Sequence, residues 1–311
     1  MTRRWTLLYT LALLFFLSLP TAHGAGIDLL QLGLTGSWYD PRTSGQGFMV
    51  EVIPDIDSPG KGIVHGSWLT YDNVVGGAEH QRWYTLSGPV VSGQTVVSMT
   101  IYQNTGGNFN APPRTTGLPV GTATLSFDSC TSGQLVYNFT DGSGRTSTIP
   151  LTRMMQNVTC SVTSERPTNG YFALSGILYN GGSTHAPSTE GQGLSVEVNP
   201  VSGALFFGWM TYAPNGAGAG PAGQRWYTGL GTWPLVPGST RFPVQLYETT
   251  GGLFDDGAAS PTTLVVGSGV LVFEGCQNTL TFDFTGGSSM GASGTIFLDH
   301  IPAYSSGENC W

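Results

Sequence analysis

The sequence predicts an all-β protein built from two tandem eight-stranded antiparallel up-and-down barrels, and three observations predict it. The chain is duplicated: Ser44-Gly45-Gln46-Gly47-Phe48-Met49-Val50-Glu51-Val52 returns as Glu190-Gly191-Gln192-Gly193-Leu194-Ser195-Val196-Glu197-Val198, 146 positions on (191 − 45). Each copy carries short apolar stretches at regular intervals, punctuated by Gly, Pro, Asn and Asp clusters. No window of useful length shows a helical apolar stripe.

The remaining landmarks of the duplication keep their order. Gly66-Ser67-Trp68-Leu69-Thr70-Tyr71 answers to Gly208-Trp209-Met210-Thr211-Tyr212, and Gln81-Arg82-Trp83-Tyr84-Thr85 to Gln224-Arg225-Trp226-Tyr227-Thr228. Tyr102 to Gly107 matches Tyr247 to Gly252, and Phe127-Asp128-Ser129-Cys130 matches Phe273-Glu274-Gly275-Cys276.

Residues 1–24 have the plan of a signal peptide. Arg3 and Arg4 form a basic start, Trp5 to Leu19 an apolar stretch, and Ala22-His23-Gly24 a small-x-small cleavage site. The apolar run is too short and wrongly flanked for a membrane span. Secretion or periplasmic residence follows as the expectation. Without Arg3 and Arg4, 9 basic residues face 19 acidic ones, a net of −10 (9 − 19). An acidic surface repels phosphate backbones, which argues against nucleic-acid partners.

Four cysteines fall two per repeat at matching places. Four Cys allow three pairings, and the duplication selects Cys130–Cys160 and Cys276–Cys310. Each closes a loop of about 30 residues, worth roughly 3–4 kcal/mol in the chain-entropy picture. A zinc site is disfavoured, because no Cys-x-x-Cys is present and no His recurs beside them.

In order, repeat 1 (30–160) is expected to form strands over Leu34–Tyr39, Gly47–Ile53, Gly62–Tyr71, Arg82–Ser87, Thr95–Gln103, Gly121–Phe127, Gln134–Thr140 and Thr146–Arg153. Alternation is cleanest where Phe48, Val50 and Val52 face one way and Met49 and Glu51 the other. Residues 161–169 form a polar linker, and repeat 2 (170–311) supplies the same eight strands from Phe172 to His300. Closure removes exposed sheet edges; two β-sandwiches are the alternative.

The opening Leu34-Thr35-Gly36-Ser37-Trp38-Tyr39-Asp40 resembles the start of avidin-type and lipocalin-like barrels, though Ile177-Leu178-Tyr179-Asn180 in repeat 2 lacks the Trp and biotin binding does not carry over. A closer likeness spans both repeats. Gly36-Ser37-Trp38-Tyr39-Asp40-Pro41, Ser44-Gly45-Gln46-Gly47, Trp68-Leu69-Thr70-Tyr71 and Trp83-Tyr84 resemble a repeat of secreted bacterial proteins, which implies no particular activity.

Two readings compete for the repeated polar residues. Glu51 and Glu197 could pair with Arg82 and Arg225 to fix register. Alternatively Glu51, Trp68, Arg82 and Tyr84, with Glu197, Trp209, Arg225 and Tyr227, line a ligand pocket at each barrel mouth. Because Trp83 and Tyr84 are adjacent on a strand, one faces in and the other out; the same holds for Trp226 and Tyr227. The Gly106-Gly107 and Gly251-Gly252 pairs suggest turns, and Asp255-Asp256 lacks the spacing of a calcium loop.

Catalytic signatures fail on context. Gly287-Ser288-Ser289-Met290-Gly291 falls in a predicted hairpin rather than a strand-to-helix turn. Gly218-x-Gly220-x-x-Gly223 is followed by no helix. His65, His80, His185 and His300 have no counterparts in the other repeat. The expectation is an exported, non-enzymatic module that binds a small molecule or glycan, without cofactor or metal. The alternative is a structural or protein-interaction component of the envelope or extracellular matrix, an inhibitor included. A hydrolase, using His185, Glu190 and Asp299, comes last.

Overall fold

The computed structural model describes residues 26–156, 158–160, 174–181, 187–199, 201–216, 218–231, 240–274 and 277–300. The signal region, the 161–169 linker, His185 and the Cys276–Cys310 pair lie outside them. Repeat 1 supplies β1 (Gly36–Tyr39), β2 (Gly47–Ile53), β3 (Lys61–Tyr71), β4 (Gln81–Val91), β5 (Val96–Gln103), β6 (Leu118–Ser129), β7 (Ser132–Phe139) and β8 (Thr146–Arg153). Repeat 2 supplies β9 (Gly176–Tyr179), β10 (Gly193–Val198), β11 (Leu205–Tyr212), β12 (Gln224–Gly231), β13 (Arg241–Thr250), β14 (Thr262–Glu274), β15 (Gln277–Phe284) and β16 (Ser293–His300). Each set closes into an up-and-down antiparallel barrel, β8 returning to β1 and β16 to β9. Closure excludes the sandwich alternative.

Alternation decides which side chains fill the barrels. In barrel 1, Phe48, Val50 and Val52 of β2 join Trp68, Tyr84, Ile101, Leu125, Leu135 and Leu151 in one core. Trp68 packs among aromatic rings there, with ring centroids of Phe48, Tyr137 and Phe254 at 4.9, 5.2 and 5.0 Å. A void among Phe48, Leu86, Met99 and Leu135 measures about 10 Å³, the space of a single water at most. Barrel 2 is filled the same way around Trp209, with Tyr227, Phe282 and Phe284 at 5.7, 5.2 and 5.8 Å. Eight strands allow either side-chain filling or one small ligand; here side chains fill the interior.

Cys130 and Cys160 form a disulfide, Cα atoms 5.2 Å apart. Among the described residues no helix is long and apolar enough to cross a membrane.

One core member comes from the wrong repeat. Phe254, on the β13–β14 loop, belongs to the core of barrel 1, and Phe109, on the β5–β6 loop, packs against the core of barrel 2. Each barrel thus lends a loop to plug its partner's end.

Candidate functional site

The motifs that occur twice meet across the interface between the barrels. Gln46 of Ser-Gly-Gln-Gly donates to the Leu253 carbonyl (2.9 Å) and accepts from the Asp255 N–H (3.1 Å), gripping the loop that carries Phe254. Gln192 does the same on the other side, donating to the Asn108 carbonyl (3.0 Å) and accepting from the Asn110 N–H (3.0 Å). Tyr71 packs against Gly252 and Tyr212 against Gly107; a Cβ at either glycine would come within 2.1 Å of the ring. That close approach, rather than turn formation alone, calls for the second glycine of each pair.

Trp83 and Trp226 also cross over. Trp83 donates to the Thr211 carbonyl (3.0 Å) and Trp226 to the Thr70 carbonyl (2.9 Å). Gln81 donates to the Trp226 carbonyl (3.0 Å), and Gln224 to the Trp83 carbonyl (2.8 Å). With Leu69, Tyr71, Met210 and Tyr212, the two tryptophans form an apolar cluster between the barrels. The in-and-out alternation therefore holds: Tyr84 and Tyr227 point into the barrels, and Trp83 and Trp226 point out into the interface.

The repeated carboxylates cross over as well. Glu197 on β10 accepts from the backbone N–H (2.7 Å) and hydroxyl (2.6 Å) of Ser37 on β1, and from the Arg153 guanidinium (2.8 Å). Both members of this ion pair are fully buried, and Arg153 also donates to the carbonyls of Gly33 and Thr35. Burial lowers the Arg153 pKa, against the pull of Glu197. On the opposite side Glu51 on β2 accepts from the Ile177 N–H on β9 (2.8 Å). Gly36 and Gly176 lie just before these N–H groups with φ of 146° and 143°. A Cβ at Gly36 would sit 2.3 Å from Glu197 Oε1, and one at Gly176 would sit 2.6 Å from Glu51 Oε1.

Here the two halves stop matching. Register places His300 opposite Leu178 as Arg153 stands opposite Trp38, so an imidazole replaces the guanidinium. A Cβ at Gly176 would lie 2.5 Å from the His300 ring, which puts that ring beside Glu51. Register also places His65 opposite Glu51 where Phe206 stands opposite Glu197. Burial pushes the Glu51 carboxyl up to about 8, against the Ile177 hydrogen bond, and pulls the His65 imidazole down to about 4. Both groups are therefore neutral near pH 7.

Beside this unmatched pair a groove of about 450 Å³ opens between the barrels. Its walls are His65, Ser67, Trp83, Thr85, Tyr102 and Asn104 from repeat 1, with Thr115, Thr116 and Gly117 of the exchanged loop, facing Ile177, Tyr179, Glu190, Gly191, Gln192, Gly193 and Met210. Tyr102 and Tyr179 are half-buried, leaving part of each surface accessible. Glu190 at the rim pairs with Arg114. Hydroxyl, amide and imidazole groups among aromatic and apolar walls can hydrogen-bond a small polar molecule while covering its faces.

The eight residues singled out in the sequence do not converge on a pocket. Trp68, Tyr84, Trp209 and Tyr227 are barrel core. Arg82 bonds Asp72 (2.6 Å) and the carbonyls of Glu79 and Gln81; Arg225 bonds the carbonyls of Ala222 and Gln224. Both arginines therefore hold the short 3-10 turns that precede β4 and β12. A Glu–Arg register pair does exist, but it joins Glu197 to Arg153 across the barrels. The expected pairing failed because both glutamates face outward, away from their own barrel, where the partner repeat supplies the donors.

His65, which has no counterpart in the other repeat, lines the groove. Tyr102, Tyr179 and Ile177 line it too, and no motif in the sequence marks them as site residues. The signal that could have found the groove is that same mismatch, His65 for Phe206. Among the hydrolase suspects, Glu190 is at the groove rim, Asp299 is on β16 opposite Tyr179, and His185 lies outside the described residues. The described residues contain no cluster of His, Cys, Asp and Glu able to hold a metal ion.

The chain matches no protein-family model, no curated protein and no solved structure. The functional reading therefore rests on the geometry.

Proposed function

We propose that the protein is an exported, non-enzymatic binding module whose site is the groove between the barrels. Its ligand is a small, uncharged, hydroxyl-bearing molecule of the glycan type. One observation carries the reading: the groove opens beside the place where the pseudo-symmetry of the interface breaks, with His65 in the position of Phe206. The void among Phe48, Leu86, Met99 and Leu135 inside barrel 1 is about 10 Å³, too small for such a ligand. Neutral His65, the hydroxyls of Thr85 and Thr116, and the rings of Tyr102 and Tyr179 favour an uncharged ligand. The rim carboxylate and guanidinium, Glu190 and Arg114, neutralise each other.

Saturation-transfer NMR with maltose, cellobiose and di-N-acetylchitobiose tests this. Binding should fall about tenfold or more in Tyr102→Ala, with melting unchanged, and persist in Tyr247→Ala, the matching residue of the other half. That loss corresponds to about 1.4 kcal/mol or more. No binding of any of the three, or equal loss in both variants, would sink the glycan reading.

The filled barrels also support a second reading, a protein-interaction module acting through its outer surface. Val74 and Val75, adjacent on the β3–β4 loop and 58% and 55% exposed, are the place to look.

A further inference from the structure

We propose that binding in the groove is linked to two protons: the groove is competent while Glu51 carries its proton and His65 does not, and it loosens outside that window. The proposal rests on the groove being the binding site, and it adds how that site is regulated.

The geometry is a wall with a titratable group behind it. Ile177 and His65 line the groove on facing barrels. Glu51 joins them, since it accepts the Ile177 N–H at 2.8 Å and stands directly opposite His65 in the β2–β3 register. Among the described residues the groups facing Glu51 are the His65 imidazole from β3, the Ile177 N–H from β9 and the His300 ring from β16. Tyr102, Tyr179, Glu190 and Arg114 stand around the groove beyond them.

The other half provides an internal comparison. There Glu197 faces a permanent cation, Arg153, and accepts two donors from Ser37. Among the described residues Glu51 has one backbone donor, the Ile177 N–H, and two imidazoles beside it, which are cations only when protonated. Ionising Glu51 therefore places a buried anion at the joint between β2 and β9, and protonating His65 places a partly buried cation in the groove wall. Either charge draws water into the joint. A ligand that covers the wall removes water from both groups and so favours their neutral forms. Binding then takes up a proton at alkaline pH and releases one at acid pH.

Amide exchange on the ligand-free protein tests the device independently of any ligand. The Ile177 and Ser37 amides are matched, each accepted by a carboxylate of the opposite barrel. Between pH 6 and pH 9 the exchange of Ile177 should accelerate about tenfold or more relative to Ser37, as expected for an opening that releases one proton. In Glu51→Gln the ratio should stay level across that range. A ratio constant to within about twofold in the wild-type protein would overturn the proposal, whatever the variant does. Amide coupling without saccharide binding would remove the glycan reading and leave the device. Saccharide binding of equal strength at pH 6 and pH 9 would overturn the linkage and leave the glycan reading.

Discussion

The ring of Phe254 stands 5.0 Å from Trp68, inside a barrel to which Phe254 does not belong. Its counterpart Phe109 stands 5.3 Å from Trp209 in the other barrel. The exchange is anchored by Gln46 and Gln192, so plug, grip and socket are shared between the repeats.

Phe254→Ala should therefore destabilise the barrel that receives the ring. The expected cost is about 3–5 kcal/mol, the range for truncating a buried Phe. Amide exchange should quicken more in β3 and β7 of barrel 1 than in β13 and β14, from which the residue comes. The reverse order would mean that the exchanged loop does not support its host.

Adjacent glycines of one loop should respond differently. Gly107→Ala places a Cβ 2.1 Å from the Tyr212 ring, whereas a Cβ at Gly106 meets nothing within 4 Å and only its φ of 82° is unfavourable. Gly106→Ala should cost about 1–2 kcal/mol of backbone strain. Gly107→Ala should cost more, because Tyr212 is buried and cannot retreat without breaking its hydrogen bonds to Thr115 and Gly191. Urea unfolding of the two variants compares them directly.

Arg153→Leu leaves Glu197 buried without its cation. Breaking such a pair costs about 3–5 kcal/mol, so the melting temperature should fall well below that of His300→Leu, made at the matching position. Replacing Glu197 by Gln in the Arg153→Leu background should restore part of the loss, since the uncompensated charge is then gone.

The pH dependence of stability has a defined shape. Glu51 is pushed from 4.5 to about 8 on folding, so its contribution is complete below pH 4.5 and is lost as pH rises towards 8. His65 is pulled from 6.5 to about 4, so its contribution is lost as pH falls from 6.5 towards 4. The two slopes oppose each other between 4.5 and 6.5, which predicts a plateau there and a decline on the alkaline side. Glu51→Gln should remove the alkaline decline and expose a rise from pH 4 to 6.5. Denaturant titrations at half-unit pH steps check both limbs.

The interface also predicts that neither repeat is stable alone. Residues 30–160 produced separately lack Phe254, the Glu197 acceptor for Ser37 and the Gln224 donor to Trp83. Circular dichroism should show a loss of cooperative melting for this fragment, restored by mixing with 170–311. Independent, unchanged melting of the fragment would contradict the mutual dependence of the barrels.

The barrels were legible in the sequence because their cause is local. Phe48, Val50 and Val52 alternate with Met49 and Glu51, and glycine-rich turns set the strand spacing. The groove was not legible. Glu197 meets Ser37 across 160 positions, and no periodicity records which repeat's loop plugs which barrel. The repeated Gly-Gln-Gly, Trp-x-Thr-Tyr and Gln-Arg-Trp-Tyr stretches are the landmarks of the duplication, and much of what they repeat is reciprocal contact between the halves. Recurrence here marks the joint, and the candidate site lies beside a residue that does not recur.

The reciprocal exchange has a bearing on how such a molecule can change. A unit that carries both a loop and the socket for that loop contains what is needed to pair with another copy of itself, as in any isologous contact. In a pair of identical copies every substitution is made on both flanks at once, so an imidazole at the position of His65 would appear twice. Joining the units in one chain breaks that obligation. One flank can keep its phenylalanine and its arginine-clamped carboxylate as a rigid seam, while the other becomes a cleft that responds to protons.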